Sequence, residues 1–295
     1  MSVHEVTATV EPAQPYSLRM SSSFLCRFPA TLGEQIAEPN QMVKAWRIEQ
    51  ETVAADVSQL ASGALRVRLV SNGTLSEAVI ERALDRVGFY LSLDDEIAEF
   101  YALAESDPDM MPLIERARGY HQVKIPSPIE HLCWAILAQR VPMPLAKKMK
   151  ATIVGEFSNV IDVDGTQLVA FPSVDQLGSL SEQDWLRLTG NARKSKYLFG
   201  SVQRIAGVDE QFLRTGPFEE VEKFLLSLPG IGPWSASFLM VRGLGRMERM
   251  PADPEALRAA SRAYGRPIDE GEFDRIAEHY GEWRGYWGHY LRAFA

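Results

Sequence analysis

Asp253 stands between two prolines in Met250-Pro251-Ala252-Asp253-Pro254, and 21 residues upstream of it lies Gly232 of the run Leu228-Pro229-Gly230-Ile231-Gly232-Pro233-Trp234. Asp is a favoured N-cap residue and Pro a favoured first helical residue, so a helix over Glu255–Ala260 with Asp253 as its cap is expected. A carboxylate at a helix N-terminus stays ionised and fixed in direction, which suits it to stabilise a developing positive charge or to orient a water. The cap and the chemical role are compatible. In the upstream run, Gly230 and Gly232 would let the turn take unusual backbone angles and come close to another backbone. Pro233 suits the first position of a helix through Trp234, Phe238 and Met240, whose N-terminal amides would face the turn and could hold a phosphate without any lysine.

These groups need elements to position them. Pro217 to Leu226 carries apolar residues at helical spacing with acidic residues in its first turn, so the motif reads helix, hairpin, helix over about residues 217–244, with Ile231 buried between the two helices. For LPGIG alone, an ordinary helix–helix turn is the competing reading. Before residue 93, Ala64–Leu69 alternates at strand period, Asn72-Gly73 marks a turn, and Ser76 to Val87 reads as a helix. From Ile97 helical periodicity dominates, with capping-box patterns at Ser127/Glu130, Ser173/Gln176 and Ser181/Asp184 and one irregular stretch from Val160 to Phe171. The expected class is α+β: a small N-terminal antiparallel sheet domain with a connecting helix (1–118), then a mostly helical core (119–295).

Composition bounds the function. With 46% hydrophobic residues in 295, the chain can build two or three domains. It holds no run of eighteen apolar residues and no basic-then-apolar N-terminal segment, so a cytoplasmic location is expected. Cys26 and Cys133 form no C-x-x-C pair and read as buried, reduced thiols. His121, His131, His279 and His289 show neither metal-ligand nor triad spacing, so no metal site is expected and each reads as structural or exposed. A net charge of −8 argues against nucleic acid, yet the first 118 residues hold 18 acidic and 10 basic residues while the remainder holds 21 of each. In that neutral part Arg140, Lys147, Lys148 and Lys150 form one basic cluster and Arg193, Lys194 and Lys196 another. Each is more often a solvated helix face than a phosphate site.

The hairpin, the Gly/Pro-containing loop and Asp253 together resemble the helix-hairpin-helix/Gly-Pro-Asp superfamily of base-excision DNA glycosylases, and within it the DNA-3-methyladenine glycosylase II type. The likeness extends to Ser127–Glu130 with Cys133–Gln139, to Gly190–Leu198 and to Trp283–Tyr286. It covers roughly residues 16 to 295 and is strongest from Pro126 onward. It implies an N-terminal sheet domain ahead of two helical domains with a cleft between them, acting on double-stranded DNA with damaged bases, as a monomer. A base would be rotated out of the duplex, with Gln139 and Arg140 at the gap. Arg140 departs from the apolar wedge of the alkylation-repair members: its guanidinium could stack on a base or simply meet a phosphate. Trp234, Phe238 and Trp283 would line a pocket in which a cationic alkylated purine stacks, though Phe238 is equally a core residue.

Asp253 would stabilise the positively charged sugar and guide water. Gly230, Ile231 and Gly232 would bind the DNA backbone. Bifunctional members carry a lysine where Trp234 stands, so hydrolysis without strand cleavage is expected. The iron–sulfur relatives need four cysteines near the C-terminus, and none follows Cys133, so no cluster is expected. The resemblance allows a monovalent cation on the hairpin carbonyls. The alternatives are a glycosylase for deaminated or oxidised bases and a non-catalytic DNA-damage-binding protein on the same hairpin.

Overall fold

The strand alternation of the N-terminal part becomes a sheet in the computed structural model, which describes residues 4–28, 30, 31 and 34–295. β1 (His4–Val10), α1 (Leu18–Leu25), β2 (Gln35–Glu38), β3 (Gln41–Ile48), β4 (Glu51–Gln59) and β5 (Leu65–Ser71) come first, and the strands pair antiparallel in the order β1-β5-β4-β3-β2. α2 (Glu77–Leu91) follows, its first turn closed by the Ser76 hydroxyl, which accepts from Val79 N–H at 3.4 Å. Val79, Ala83, Val87 and Leu91 recur at helical spacing and bury with Val57, Val67 and Leu69 of the sheet.

Helices α3 (Ile97–Ala104), α4 (Met111–Arg116), α5 (Pro128–Leu137) and α6 (Met143–Gly155) come next. The stretch from Val160 to Phe171, expected to be irregular, instead forms a hairpin of β6 (Val160–Val163) and β7 (Thr166–Val169). Its turn residues Asp164 and Gly165 both have positive φ, the geometry that Asp-Gly favours between two strands. Ile161, Val163 and Leu168 cover Val43, Ala45, Ala54 and Val70, so β3 and β4 are buried on both faces.

The chain continues as α7 (Val174–Gly178), α8 (Glu182–Thr189), α9 (Ala192–Ile205), α10 (Glu210–Thr215), α11 (Phe218–Ser227) and α12 (Pro233–Phe238), then a π-helical turn (Leu239–Gly243), α13 (Pro254–Ala263), α14 (Glu270–His279) and α15 (Arg284–Phe294). Two of the three expected capping boxes are complete, at Ser173/Gln176 and Ser181/Asp184. At Ser127 only the hydroxyl caps, because the Glu130 side chain turns inward to Lys150.

One core centres on α5, α8, α9, α11 and the hairpin; a second joins the sheet and α2–α4 to α13–α15. The first 118 residues therefore share a core with the last forty. α5 lies deep in the fold, with all but one of its residues buried. A helix enclosed on nearly every side also encloses its polar side chains, and Glu130 and His131 are both buried on it. Of the two cysteines, Cys133 is buried as expected, but Cys26 is exposed just beyond α1, where its thiol donates to the Ala37 carbonyl at 3.3 Å.

Candidate functional site

Asp253 caps α13 as its sequence context indicates. Its Oδ1 accepts from Glu255 N–H at 3.0 Å and Ala256 N–H at 2.9 Å. Oδ2 accepts from Arg292 at 2.5 Å and from Trp234 Nε1–H at 3.3 Å. Burial alone would raise the carboxyl pKa, but the Ala256 N–H and the Arg292 guanidinium outweigh it and hold the group below its ordinary value. The loop that delivers Asp253 is pressed onto α15. Gly285 N–H donates to the Met247 carbonyl at 3.0 Å, and a Cβ at Gly285 or Gly288 would collide with Met247 or Met250. Gly285, Gly288 and Arg292 are spaced i, i+3, i+7, so one face of α15 both seats the loop and supplies the cation. Arg292 was not among the candidates from sequence, although that spacing signals the face it shares.

Trp234 and Phe238 lie one turn apart on α12 and stack, with centroids 5.2 Å apart and planes at 23°. Trp234 is 56% exposed and borders Asp253, whereas Phe238 is partly buried and its inner edge meets His131. Trp283 does not join them. It closes a 3₁₀ turn before α15, donates Nε1–H to Glu99 at 3.3 Å and packs against Phe100 and Tyr286, because the start of α15 faces α3 and not the hairpin.

The hairpin is held from behind. Gln139 Nε2–H donates to the Gly230 carbonyl at 2.8 Å, so this side chain braces the turn. Gly230 has φ +81° and lies against Tyr197, so any Cβ there would clash. Gly232, by contrast, is extended (φ −100°, ψ −179°), correcting the expectation that it needs unusual angles; a Cβ there would enter open space, which leaves its backbone bare on the exterior. Ile231 is buried between the helices, so only its backbone borders the outside, and its N–H is bonded to Leu228.

Arg140 is exposed with φ +52° and borders a surface cavity of about 390 Å³ that also meets Asn191, Arg193, Tyr197 and Gly230. Two members of the basic clusters face inward instead. Lys194 donates to the carbonyls of Ile136 and Gln139, ending α5, and Lys150 is bonded to Glu130 and Glu34. Among the described residues no group of three or more His, Cys, Asp or Glu side chains is placed to hold a metal, and no helix is long and apolar enough to cross a membrane.

No family model matches the chain. A DNA-3-methyladenine glycosylase of Bacillus subtilis is 27% identical over 207 residues, covering 68% of each chain. A probable bifunctional transcriptional activator/DNA repair enzyme AlkA of Mycobacterium tuberculosis is 28% identical over 202 residues, covering 66% of this chain and 39% of the relative. Among solved structures, a 3-methyladenine DNA glycosylase of Archaeoglobus fulgidus shares the fold with a TM-score of 0.75 at 23% identity, covering 97% of both chains. An 8-oxoguanine glycosylase/lyase of Clostridium acetobutylicum does so at 0.70 and 18%, covering 100% of this chain and 99% of its own. In sequence the chain is similar to DNA-3-methyladenine glycosylases, and in fold it is similar to a solved structure of that type.

Proposed function

We propose that the protein is a monofunctional DNA glycosylase that extrudes alkylated purines such as 3-methyladenine from double-stranded DNA and hydrolyses their N-glycosidic bond. The observation that carries this reading is the juxtaposition of an ionised carboxylate, Asp253 Oδ2, with the exposed face of the Trp234–Phe238 stack. A purine alkylated at N3 or N7 is cationic and stacks well on such a face, and its glycosidic bond is already weak. The enzyme then needs mainly one fixed negative charge beside the sugar as positive charge develops there, and a direction for the attacking water.

The bare backbone of Gly232 and the first amides of α12 would receive a phosphate of the damaged strand, while Gln139 keeps the turn in shape. Arg140 and the cavity beside it would lie at the gap left in the duplex. The segment Pro233–Gly243 holds no lysine, and the cation touching Asp253 is a guanidinium, which does not form a Schiff base. Water is the nucleophile in this reading.

A second reading, excision of oxidised purines, is favoured by two relatives. An N-glycosylase/DNA lyase OGG1 of Arabidopsis thaliana is 25% identical over 213 residues, and the Clostridium enzyme shares the whole fold. The deciding experiment is incubation with methylated, deaminated and oxidised duplexes, identification of the freed base, and borohydride trapping. Release of a methylated purine with no trapped adduct is expected. A trapped covalent adduct would overturn hydrolysis, and release of 8-oxoguanine alone would overturn the alkylation reading.

A further inference from the structure

His131 is fully buried on α5, yet neither of its ring nitrogens has a hydrogen-bond partner among the described residues. A buried polar atom left without a partner costs stability, so an apolar ring would be the more stable occupant of a position with no other use. Its neighbours show what that use could be. Phe238 meets the imidazole edge to face, with centroids 4.4 Å apart and planes at 84°, and Trp234 stacks on Phe238. The three rings form a row from the exposed Trp234 to the fully buried His131.

The other flank of the ring is closed. A Cβ on Gly243, in the π-helical turn that follows α12, would fall 2.2 Å from His131 Nδ1, so that nitrogen abuts the backbone of the turn. A π-helical turn is a rare element that frequently lies at functional sites, and here it brings a glycine against the histidine. Nε2 is the nitrogen left for a ligand. The ring is neutral, because burial, then the nearby Arg242 and Lys150 charges, push its pKa well below the ordinary value. A neutral imidazole offers a directional hydrogen bond without repelling a cationic base.

We propose that His131 is a specificity-determining residue of the base pocket: an extruded purine, stacked on Trp234, displaces the Phe238 ring and places its edge on His131 Nε2. The proposal rests on the base-extrusion reading above, and it gives this chain a polar reader behind an aromatic wall. The bond is made to the base edge and not to the sugar, so it sorts bases without taking part in bond cleavage.

The test compares kcat/KM for duplexes carrying 7-methylguanine, hypoxanthine or unmodified adenine in wild type, His131→Phe and His131→Gln. Phenylalanine keeps the ring and removes both nitrogens. We expect kcat/KM on the preferred base to fall about tenfold, the preference over adenine to shrink by the same factor, and Tm to equal or exceed that of wild type. Glutamine, which restores a donor and an acceptor, should recover activity to within about threefold. A second readout needs no turnover: in histidine-labelled Asp253→Asn protein, ¹⁵N NMR should show His131 Nε2 shifting when the 7-methylguanine or hypoxanthine duplex is added. Unchanged preference in His131→Phe with an unmoved Nε2 resonance would overturn the proposal. A shifted Nε2 in a protein that releases none of the bases would overturn the glycosylase reading and leave His131 as a base reader.

Discussion

Two carboxylates of this molecule are each bonded to a cation, and their surroundings are opposite. Glu130 is 1% exposed and meets Lys150 Nζ at 2.7 Å; the same ammonium also reaches Glu34 and the Ala30 carbonyl. Asp253 meets Arg292, but its Oδ2 also borders a tryptophan more than half exposed. Burial pushes the Glu130 pKa up, yet the Lys150 and Lys44 charges more than offset this and keep it ionised. Both carboxylates are therefore anions, and ionisation does not distinguish them. Access does: Glu130 is enclosed by its own cation and staples residues 30 and 34 to α5 and α6, whereas Asp253 keeps an oxygen beside a face that a ligand can reach.

The comparison breaks hardest if Lys150 is removed. Lys150→Met takes from the buried Glu130 the cation it is bonded to, leaving only the Lys44 charge nearby, and a loss of about 3–5 kcal/mol is expected, read as a lower denaturant midpoint at unchanged slope. Lys150→Met with Glu130→Gln removes both charges and should recover much of that loss. If the single variant loses less than about 1 kcal/mol, the pair is not the staple described and the contrast with Asp253 collapses.

Next in size is Asp253→Asn. An amide can still cap α13 through its oxygen, but its NH₂ then opposes two donors, Arg292 and Trp234 Nε1–H, so a modest drop in Tm is expected beside a fall in kcat of about 10²–10³-fold. Unchanged base release would sink the role given to this carboxylate. The pH profile sharpens the point. The folded pKa is depressed, so the stability it contributes is fully present above the unfolded value and disappears as pH falls through the folded one. Base release should accordingly hold level on the acid side down through the ordinary aspartate range near about 3.9, for as long as the protein stays folded. A loss of activity with an apparent pKa above that range would show that the acid limb belongs to another group.

What could be read from sequence was mostly local. The Asp253 cap, the Gly230 turn and the amphipathic face of α2 each depend on residues a few positions apart, and each stands where its local pattern puts it. The ion pair of Asp253 with Arg292 spans 39 residues. Only the i, i+3, i+7 face of α15 hints at it, and nothing local says which loop that face meets. Lys150 and Lys194 looked like members of solvated basic clusters because charge density along the chain carries no information about depth. Asp164-Gly165 between two short alternating stretches is a hairpin signal, which the expectation of an irregular Val160 to Phe171 leaves unused. Trp283 went astray for the reverse reason, since an aromatic near the C-terminus says nothing of which side of α15 it occupies.

The smallest expected effect belongs to Arg140, which lies on the accessible side of the contrast but away from the carboxylate. Its φ of +52° is a left-handed conformation that costs arginine and alanine alike, so Arg140→Ala changes the side chain without relieving or adding backbone strain. An exposed cation contributes roughly 1 kcal/mol, or about fivefold in affinity. If the guanidinium fills the gap left by an extruded base, that loss should appear on lesion-containing duplex and be smaller on undamaged duplex, with little change in salt dependence. If it only meets a phosphate, both duplexes lose equally and the slope of log affinity against log salt falls by about one. Equal losses would remove Arg140 from the base-extrusion step and leave the adjoining cavity, with Arg193 and Asn191, as a surface for the backbone alone.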